Sequence, residues 1–250
     1  MDLQLAGRTA LVTGASSGIG RGVALALAAE GVRVAIQGRR KQKLEEVSEE
    51  IMSAGGETPV IVIAELQDAD SAPNVFIQAR GGLGSVDIVV NNAGGSRPLR
   101  IDSSDSAWDE AFALNFTRPR QLGTLAIPGM RERQWGRIIN VTGKSESISL
   151  NGAVCAKAAL HAWSKGLSRA VGKDGITVNC VAPGKIMSDQ ILRNYTPEFR
   201  EKQAAEDIPV GRYGQPSDMA NMITYLASPQ SGYITGVVVS VDGGLRRFYY

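Results

Sequence analysis

The stretch TALVTGASSGIG, from Thr9 to Gly20, decides the fold of this 250-residue chain. Its first part, Thr9 to Thr13, suits a buried strand, and the alanine-rich run from Gly22 to Glu30 suits a helix. The glycines between them permit a tight turn, a close backbone approach to a pyrophosphate, and tight packing of helix against strand. The N–H groups that begin the helix lack intrahelical partners and would point at the anion. The pattern predicts a dinucleotide-binding turn, although a plain tight turn between two core elements would need similar residues. The loop residues predicted to line the cofactor site are Gly14, Ser16, Ser17, Gly18, Ile19 and Gly20.

The composition indicates a globular protein that acts on small molecules. With 43% hydrophobic and 21% charged residues, a chain of this length can bury roughly 70–75% of its unfolded surface. The 27 basic residues nearly balance the 25 acidic ones, and no basic block indicates nucleic acid. No apolar targeting segment opens the chain, and no run approaches the roughly 18 apolar residues that span a bilayer. We therefore expect a cytoplasmic protein with no nucleic-acid or membrane partner.

Cysteine and histidine usage gives no sign of a metal or a disulfide framework. Cys155 and Cys180 lack the paired spacing of a zinc site or a redox motif, and both are predicted to be small buried side chains. The single histidine, His161, cannot build a metal site by itself. We expect no metal.

Strands and helices alternate along the whole chain without a repeat or linker, which predicts one domain over residues 1–250. Near-continuous Val and Ile runs are typical of parallel strands covered on both faces, so we predict an open, doubly wound α/β sheet. Ligands of such sheets bind beyond the carboxyl ends of the strands, at the switch point. The predicted strands are Thr9–Thr13, Val32–Gln37, Val60–Ala64, Val86–Val90, Gly136–Thr142, Ile176–Val181 and Val237–Val241. The predicted helices are Gly22–Glu30, Arg40–Ala54, Ser71–Arg80, Ser104–Arg131 (bent at Pro119), Ala153–Val171 and Ser217–Ala227.

Several short motifs, taken in order, resemble the classical short-chain dehydrogenase/reductase family, and in particular its 3-oxoacyl-acyl-carrier-protein reductase-like members. They are TGASSGIG at 13–20, NNAG at 91–94, Asn115, the lysine of AKAAL at 157, APG at 182–184 and VDGG at 241–244. The resemblance covers essentially the whole chain. It implies a Rossmann-type sheet of about seven strands with helices on both faces, a nicotinamide cofactor, and commonly a homotetramer. The further cofactor-binding residues that it implies are Glu65, Leu66, Asn91, Ala93, Gly94, Lys157, Pro183, Gly184 and Ile186.

The end of the second strand indicates which nicotinamide cofactor binds. An NAD enzyme places an acid there, which accepts from the ribose hydroxyls and repels a 2′-phosphate. Here the sequence QGRR, from Gln37 to Arg40, holds no acid, and an arginine fork matches a phosphate with roughly 1.5–3 kcal/mol per charged hydrogen bond. We therefore predict NADP, held by Arg39 and Arg40. The alternative is that both arginines only begin a solvated helix, and Glu65 stands where the family usually has a shorter aspartate.

The family's active site resembles an arrangement of Asn, Ser, Tyr and Lys, and this sequence keeps only part of it. Lys157 fits the lysine, but Ala153 stands four residues earlier, where the phenol would donate a proton. Gly143 aligns with the serine, and the loop that follows is shorter than usual, so Thr142 or Ser145 could take that place. Asn115 either anchors a water relay or is a structural bridge between neighbouring strands.

Three readings follow for function. The first is an NADP-dependent oxidoreductase acting on a small carbonyl or alcohol substrate, with a substitute donor among Thr142, Lys144, Ser145, Lys157 and Tyr195. The second is a catalytically impaired NADP-binding protein that acts as a sensor or partner subunit, and the third is non-redox chemistry in the same pocket. General acid–base help is worth about 10²–10⁴-fold, so the gap predicts little activity on generic family substrates.

Two further features bear on substrate and assembly. Residues 184–214 carry apolar side chains among charges, which resembles the family's mobile lid and indicates a partly apolar small molecule. The small residues and Trp163 of the helix Ala153–Val171 suit close packing between subunits. The aromatic residues Phe248, Tyr249 and Tyr250 also favour a contact, so we expect a homotetramer.

Overall fold

Seven parallel strands form one sheet in the order β3-β2-β1-β4-β5-β6-β7 in the computed structural model of the protein, which describes residues 2–143 and 149–247. The order is that of a Rossmann-type doubly wound sheet, and the predicted fold class is confirmed. The strands are β1 (Thr9–Thr13), β2 (Arg33–Gly38), β3 (Val60–Ile63), β4 (Ile88–Asn91), β5 (Gly136–Val141), β6 (Ile176–Pro183) and β7 (Val238–Val241).

Helices cover both faces of this sheet. They are α1 (Gly18–Ala29), α2 (Lys41–Ser53), α3 (Ser71–Leu83), α4 (Asp105–Phe112), α5 (Arg118–Glu132), α6 (Gly152–Val171), α7 (Asp189–Asn194), α8 (Pro197–Asp207) and α9 (Pro216–Ala227). Successive strand residues face opposite layers: Val12 packs with α1, α2 and α9, whereas Leu11 packs with α3 and α5. Burial on both faces explains why Val and Ile recur in the strands.

The switch point lies between β1 and β4. The chain builds β1, β2 and β3 towards one edge and then returns to place β4 on the other side of β1, where Ala10 pairs with Ile88 and Val12 with Val90. The two connections leave the carboxyl ends of β1 and β4 in opposite directions, which opens a crevice between them. The glycine-rich loop after β1 and the NNAG segment after β4 both begin at this crevice.

The predicted helix Ser104–Arg131 is three segments in the structure. Between α4 and α5 the chain forms a π-helical turn, Ala113–Thr117, and Pro119 lies in the first turn of α5, where its missing N–H is tolerated. This turn contains Asn115, and π-helical turns are frequent at functional sites.

The two cysteines differ in their exposure. Cys180 is buried as predicted, but the prediction for Cys155 was wrong, because this side chain lies on the exposed face of α6.

Within residues 2–143 and 149–247, no group of three or more His, Cys, Asp or Glu side chains could hold a metal ion. No helix of this described part is long and apolar enough to cross a bilayer.

Candidate active site

The glycine-rich loop joins β1 to α1, and its geometry requires glycine at two positions. Gly14 has φ +63°, a conformation that other residues rarely adopt. A Cβ on Gly20 would overlap the Gly14 carbonyl oxygen and the Asn92 amide. Gly18 and Ile19 begin α1, where the first N–H groups have no intrahelical partner. The loop therefore presents a helix N-terminus, suited to an anion, above the carboxyl end of β1.

The segment after β4 is fastened to this loop by Thr13 and Asn92. The backbone N–H groups of Asn92 and Ala93 both donate to Thr13 Oγ1 at 3.0 Å. The Asn92 side chain donates to the carbonyl oxygens of Thr13 at 3.0 Å and Gly14 at 3.2 Å. These bonds fix the two walls of the crevice relative to each other.

A cleft of about 380 Å³ opens between these walls and the ends of β2 and β3. Gln37 supports its floor by accepting from the Gly14 N–H at 3.2 Å and donating to the Ala64 carbonyl at 2.8 Å. The cleft is lined by Gly14, Ser16, Ser17, Gln37, Gly38, Arg39, Arg40, Ala64, Glu65, Leu66, Ala93, Gly94, Gly95, Ser96, Arg97 and Leu114. Backbone donors, small residues and cations on one cleft suit the adenosine and phosphate groups of a dinucleotide.

Two arginines stand at the adenosine end of the cleft and make different contacts. Arg39 Nη1 pairs with Glu65 Oε2 at 3.0 Å, and the arginine side chain is 72% exposed. Arg40 Nη2 donates to the hydroxyls of Ser16 and Ser17, at 3.2 Å each. The guanidinium and hydroxyl groups of this second cluster point into one place and form a polar cradle of the kind that holds a phosphate.

Lys157 lies at the other end of the crevice, on α6. Its Nζ donates to the Val141 carbonyl oxygen at 2.7 Å, and the side chain is buried. Burial lowers the pKa of Lys157 to about 8, and the neighbouring Cys180 opposes this shift only in part. A Cβ on Gly94 would lie 3.3 Å from Nζ and 3.0 Å from Asn115 Oδ1, so the NNAG segment passes directly beside both side chains. Burial beside the cofactor crevice thus brings the pKa of Lys157 closer to neutral pH.

Asn115 has a structural role in the contacts seen here. Its Oδ1 accepts from the Gly95 N–H at 3.1 Å, and its Nδ2 donates to the carbonyls of Gly95 at 3.2 Å and Ala111 at 2.9 Å. The bridge joins the π-helical turn to the segment after β4, whereas the sequence suggested a bridge between neighbouring strands. Asn115 thereby holds the wall that Lys157 faces.

Ala153 lies one helical turn before Lys157, in the first turn of α6, and is buried. A Cβ on Gly143 would meet no atom of the described residues within 4 Å. Two further donor candidates, Lys144 and Ser145, lie outside the described residues, as do the aromatic residues Phe248, Tyr249 and Tyr250 that were predicted to form a contact.

His161 lies beside the candidate site, although the sequence predicted only that it could not build a metal site by itself. It lies one turn after Lys157, and its Nε2 is 2.8 Å from the Thr142 hydroxyl. Burial lowers the pKa of His161 below its ordinary value, and the positive charges of Lys157 and Arg246 lower it further. The signal that could have revealed it was the spacing of 153, 157 and 161, which places these residues on one helix face.

Comparisons with known proteins decide the family. A family model described as Enoyl-(Acyl carrier protein) reductase matches residues 14–246. The 3-oxoacyl-[acyl-carrier-protein] reductase FabG of Staphylococcus aureus is 37% identical over 243 residues, which cover 95% of this chain and 98% of the relative. The chain belongs to the classical short-chain dehydrogenase/reductase family. Members of this NAD(P)-dependent oxidoreductase family act on small carbonyl and alcohol substrates.

Solved structures of the family superimpose closely on this fold. L-sorbose reductase from Gluconobacter frateurii, complexed with NADPH and L-sorbose, has a TM-score of 0.92 and 28% identity and covers 99% of this chain and 100% of its own. A 7α-hydroxysteroid dehydrogenase, complexed with NADH and 7-oxo glycochenodeoxycholic acid, has a TM-score of 0.91 and 31% identity. It covers 97% of this chain and 96% of its own. The family thus includes proteins that bind either nicotinamide cofactor.

Two residues implied by the family resemblance, Asn91 and Ile186, turn their side chains away from the crevice. Asn91 is buried and donates to the carbonyl of Pro119 at 3.0 Å and to Asn140 Oδ1 at 2.8 Å. Ile186 lies in the hydrophobic core on the α1 and α9 side. Only the backbone groups of these two residues remain for a ligand. Gly184 donates its N–H to Val241 at 3.0 Å, and Pro183 ends β6 beside it.

The segment predicted as a lid, 184–214, contains α7 and α8 and packs onto its own small core. Tyr195 stacks on Phe199 with ring centroids 5.0 Å apart. A second cluster joins Ala204, Ile208 and Tyr213. These contacts favour a packing role for Tyr195 over a role as proton donor.

Proposed function

We propose that this protein is an NADPH-dependent reductase of small carbonyl compounds that works without a phenol on α6. The observation that carries the proposal is the Lys157 ammonium, which is buried at the end of the crevice with its pKa lowered to about 8. A buried ammonium at this place can hold ribose hydroxyls and stabilise negative charge on a substrate oxygen.

The residues around the crevice fit a dinucleotide. Gly14 and Gly20 leave no room for side chains where the loop passes Asn92, and the start of α1 offers unpaired N–H groups to a pyrophosphate. When bound, the nicotinamide cofactor supplies hydride to a carbonyl carbon.

Preference for NADPH over NADH is supported by Arg40 together with Ser16 and Ser17. Their convergent donors suit the 2′-phosphate, and β2 ends without an acid. Arg39 can contact the same phosphate only if its ion pair with Glu65 breaks. An exposed ion pair of this kind is worth about 0–1 kcal/mol, so a phosphate can displace it.

Lys157 has two tasks in this proposal. Among the described residues, Val141 accepts one of its three N–H bonds, so other donors remain for the ribose hydroxyls. Its buried positive charge also stabilises the negative charge that develops on the substrate oxygen. Asn115 acts indirectly, because it holds the Gly95 backbone beside the lysine.

A second candidate function is NADP binding without turnover, as a sensor or a partner subunit. Ala153 and Gly143 favour it, because neither residue has a proton to give. In that case Ala153→Tyr would create activity that the natural chain lacks.

The test is NADPH consumption by the purified protein against a broad set of ketones and aldehydes. We expect slow turnover of at least one compound, lowered by about 10²-fold in Lys157→Met. A natural protein that binds NADPH but consumes none, together with an Ala153→Tyr variant at least about tenfold above background, would establish the second candidate instead.

A further inference from the structure

We propose that Thr142 and His161 form the proton-transfer pair of this active site. In this arrangement the Thr142 hydroxyl gives a proton to the substrate oxygen and is resupplied by His161. The inference rests on the proposed reductase function and deepens it, because it assigns the donor that Ala153 does not provide.

The geometry connects the pair to Lys157 through consecutive residues. Helix α6 reaches the end of β5 with two successive turns: Lys157 Nζ bonds the Val141 carbonyl at 2.7 Å, and His161 Nε2 lies 2.8 Å from Thr142 Oγ1. Ala153, Lys157 and His161 are each four residues apart and therefore share one helix face. The imidazole thus occupies the same side of α6 as the lysine, one turn further along.

Thr142 is buried at the end of β5 and contacts the neighbouring strand β6. Its N–H donates to the Val181 carbonyl at 2.9 Å, and its hydroxyl is 3.4 Å from the same oxygen. Among the described residues, His161 is therefore the nearer partner of the hydroxyl. The next residue, Gly143, has no side chain, and no described atom lies within 4 Å of where its Cβ would be. A substrate oxygen could approach Thr142 through this gap.

Burial and two neighbouring cations increase the acidity of the His161 imidazolium. Two cations face the imidazole, Lys157 from α6 and Arg246 from the stretch after β7. The backbone N–H of Arg246 donates to the Asp242 carboxylate at 3.1 Å. Burial and the two cations lower the pKa of His161 below its ordinary 6.5, so the imidazolium is a stronger acid than a free histidine.

The proton balance of the reduction is simple. The carbonyl carbon accepts hydride supplied by NADPH, and the C=O π-electron pair moves onto the oxygen. That oxygen takes the Thr142 Oγ proton, while Thr142 takes the Nε2 proton of the imidazolium. The products are the alcohol, oxidised cofactor and neutral imidazole, which regains its proton from solvent.

The single histidine permits a direct test by NMR on tag-free protein, because every imidazole signal belongs to His161. We expect the His161 pKa to lie below 6.5. The Nε2 resonance should shift in Thr142→Val, which loses the hydroxyl, and stay near its original position in Thr142→Ser. An Nε2 resonance that does not respond to Thr142→Val would show that the contact is absent, and this would overturn the pair.

The same variants are then compared in carbonyl reduction across pH. We expect kcat/KM of the natural protein to rise as pH falls and to level off below the pKa that NMR reports. In His161→Gln, which keeps an N–H donor but cannot titrate, that inflection should vanish and kcat should fall by about 10²-fold. Thr142→Val should lose a similar factor and Thr142→Ser should recover most of it, while NADPH affinity stays unchanged in all three. Ile77→Ala, at an exposed position of α3, is the control.

The outcomes separate the two proposals. Carbonyl turnover with an unchanged rate and pH profile in His161→Gln overturns the pair and leaves the reductase function standing. A natural protein that binds NADPH but turns over no carbonyl overturns the reductase function, and the pair falls with it.

Discussion

At the scale of single residues, cofactor preference depends on how two neighbouring arginines are occupied. Arg39 is paired with Glu65, whereas Arg40 bonds only neutral hydroxyls of Ser16 and Ser17 among the described residues. We therefore expect NADPH to bind at least about tenfold more tightly than NADH, with Arg40→Ala removing most of this difference.

Fluorescence titration with both reduced cofactors measures these affinities. Arg39→Ala should have the smaller effect, and Glu65→Gln should strengthen NADPH binding by freeing Arg39. Equal affinities of the natural protein for the two cofactors would contradict the assignment.

Lys157 predicts a dependence of stability on pH. Its pKa is about 8 in the folded protein and 10.5 in the unfolded chain, so the unfolded state binds more protons between these values. Stability should therefore rise between pH 8 and 10.5, be fully present above 10.5, and be lost as pH falls to about 8. The rise is on the order of 3 kcal/mol.

Urea unfolding at a series of pH values tests this, with Lys157→Met as the reference for all other titrating groups. The difference in free energy of unfolding between the natural protein and the variant should change across the window. A constant difference would show that the lysine is not buried as described.

At the scale of elements, the first turn of α1 leaves no space for a side chain at Gly20. We expect Gly20→Ala to weaken NADPH binding by more than about tenfold and to lower the melting temperature, because the new methyl group overlaps Gly14 and Asn92. Gly81→Ala is the matched control, since a Cβ there meets no described atom within 4 Å in α3. The control should be neutral or stabilising by up to about 1 kcal/mol.

The sheet could be predicted from sequence because its physics is local. Strands buried on both faces carry apolar residues at their centres, such as residues 10–12 in β1 and residues 138–139 in β5, and the segments after β1 and β4 are rich in glycine or asparagine. The π-helical turn at Ala113–Thr117 could not be predicted, because its apolar spacing resembles that of an ordinary helix. The turn exists because the Asn115 amide bonds the Gly95 backbone, a contact distant in sequence.

The candidate site was predictable in part for the same reason. The glycine loop and Lys157 carry recognisable spacing, whereas the pairing of His161 with Thr142 depends on how α6 lies across β5. The Arg39–Glu65 pair likewise depends on the alignment of β2 and β3. Such contacts depend on tertiary packing, so they could not be predicted from this one sequence.

At the scale of the whole molecule, two exposed apolar surfaces support the proposed homotetramer. On α6, the exposed residues Cys155, Ala158 and Ala162 present a face of small side chains that permits close helix packing. At the sheet edge, Val237 and Val238 are 37% and 38% exposed. Two distinct self-complementary surfaces are what a tetramer with twofold symmetry needs.

Light scattering at micromolar concentration should give four times the 26.5 kDa chain mass. Ala162→Glu and Val238→Lys should each reduce the assembly to dimers, because each introduces a charge at one surface only. Ile77→Glu, at an exposed position of α3, should leave the mass unchanged. A natural protein that is monomeric under these conditions would refute the tetramer.

At this scale, the fold brings the phosphate cradle after β1 and the lysine of α6 to one crevice. We propose that carbonyl groups are reduced in this crevice without a phenol. The most direct measurement is the NADPH-dependent rate of carbonyl reduction by the natural protein beside Lys157→Met, at saturating cofactor. We expect turnover by the natural protein that falls by about 10²-fold in the variant. Equal rates in the two proteins, or none in either while NADPH is bound, would contradict it.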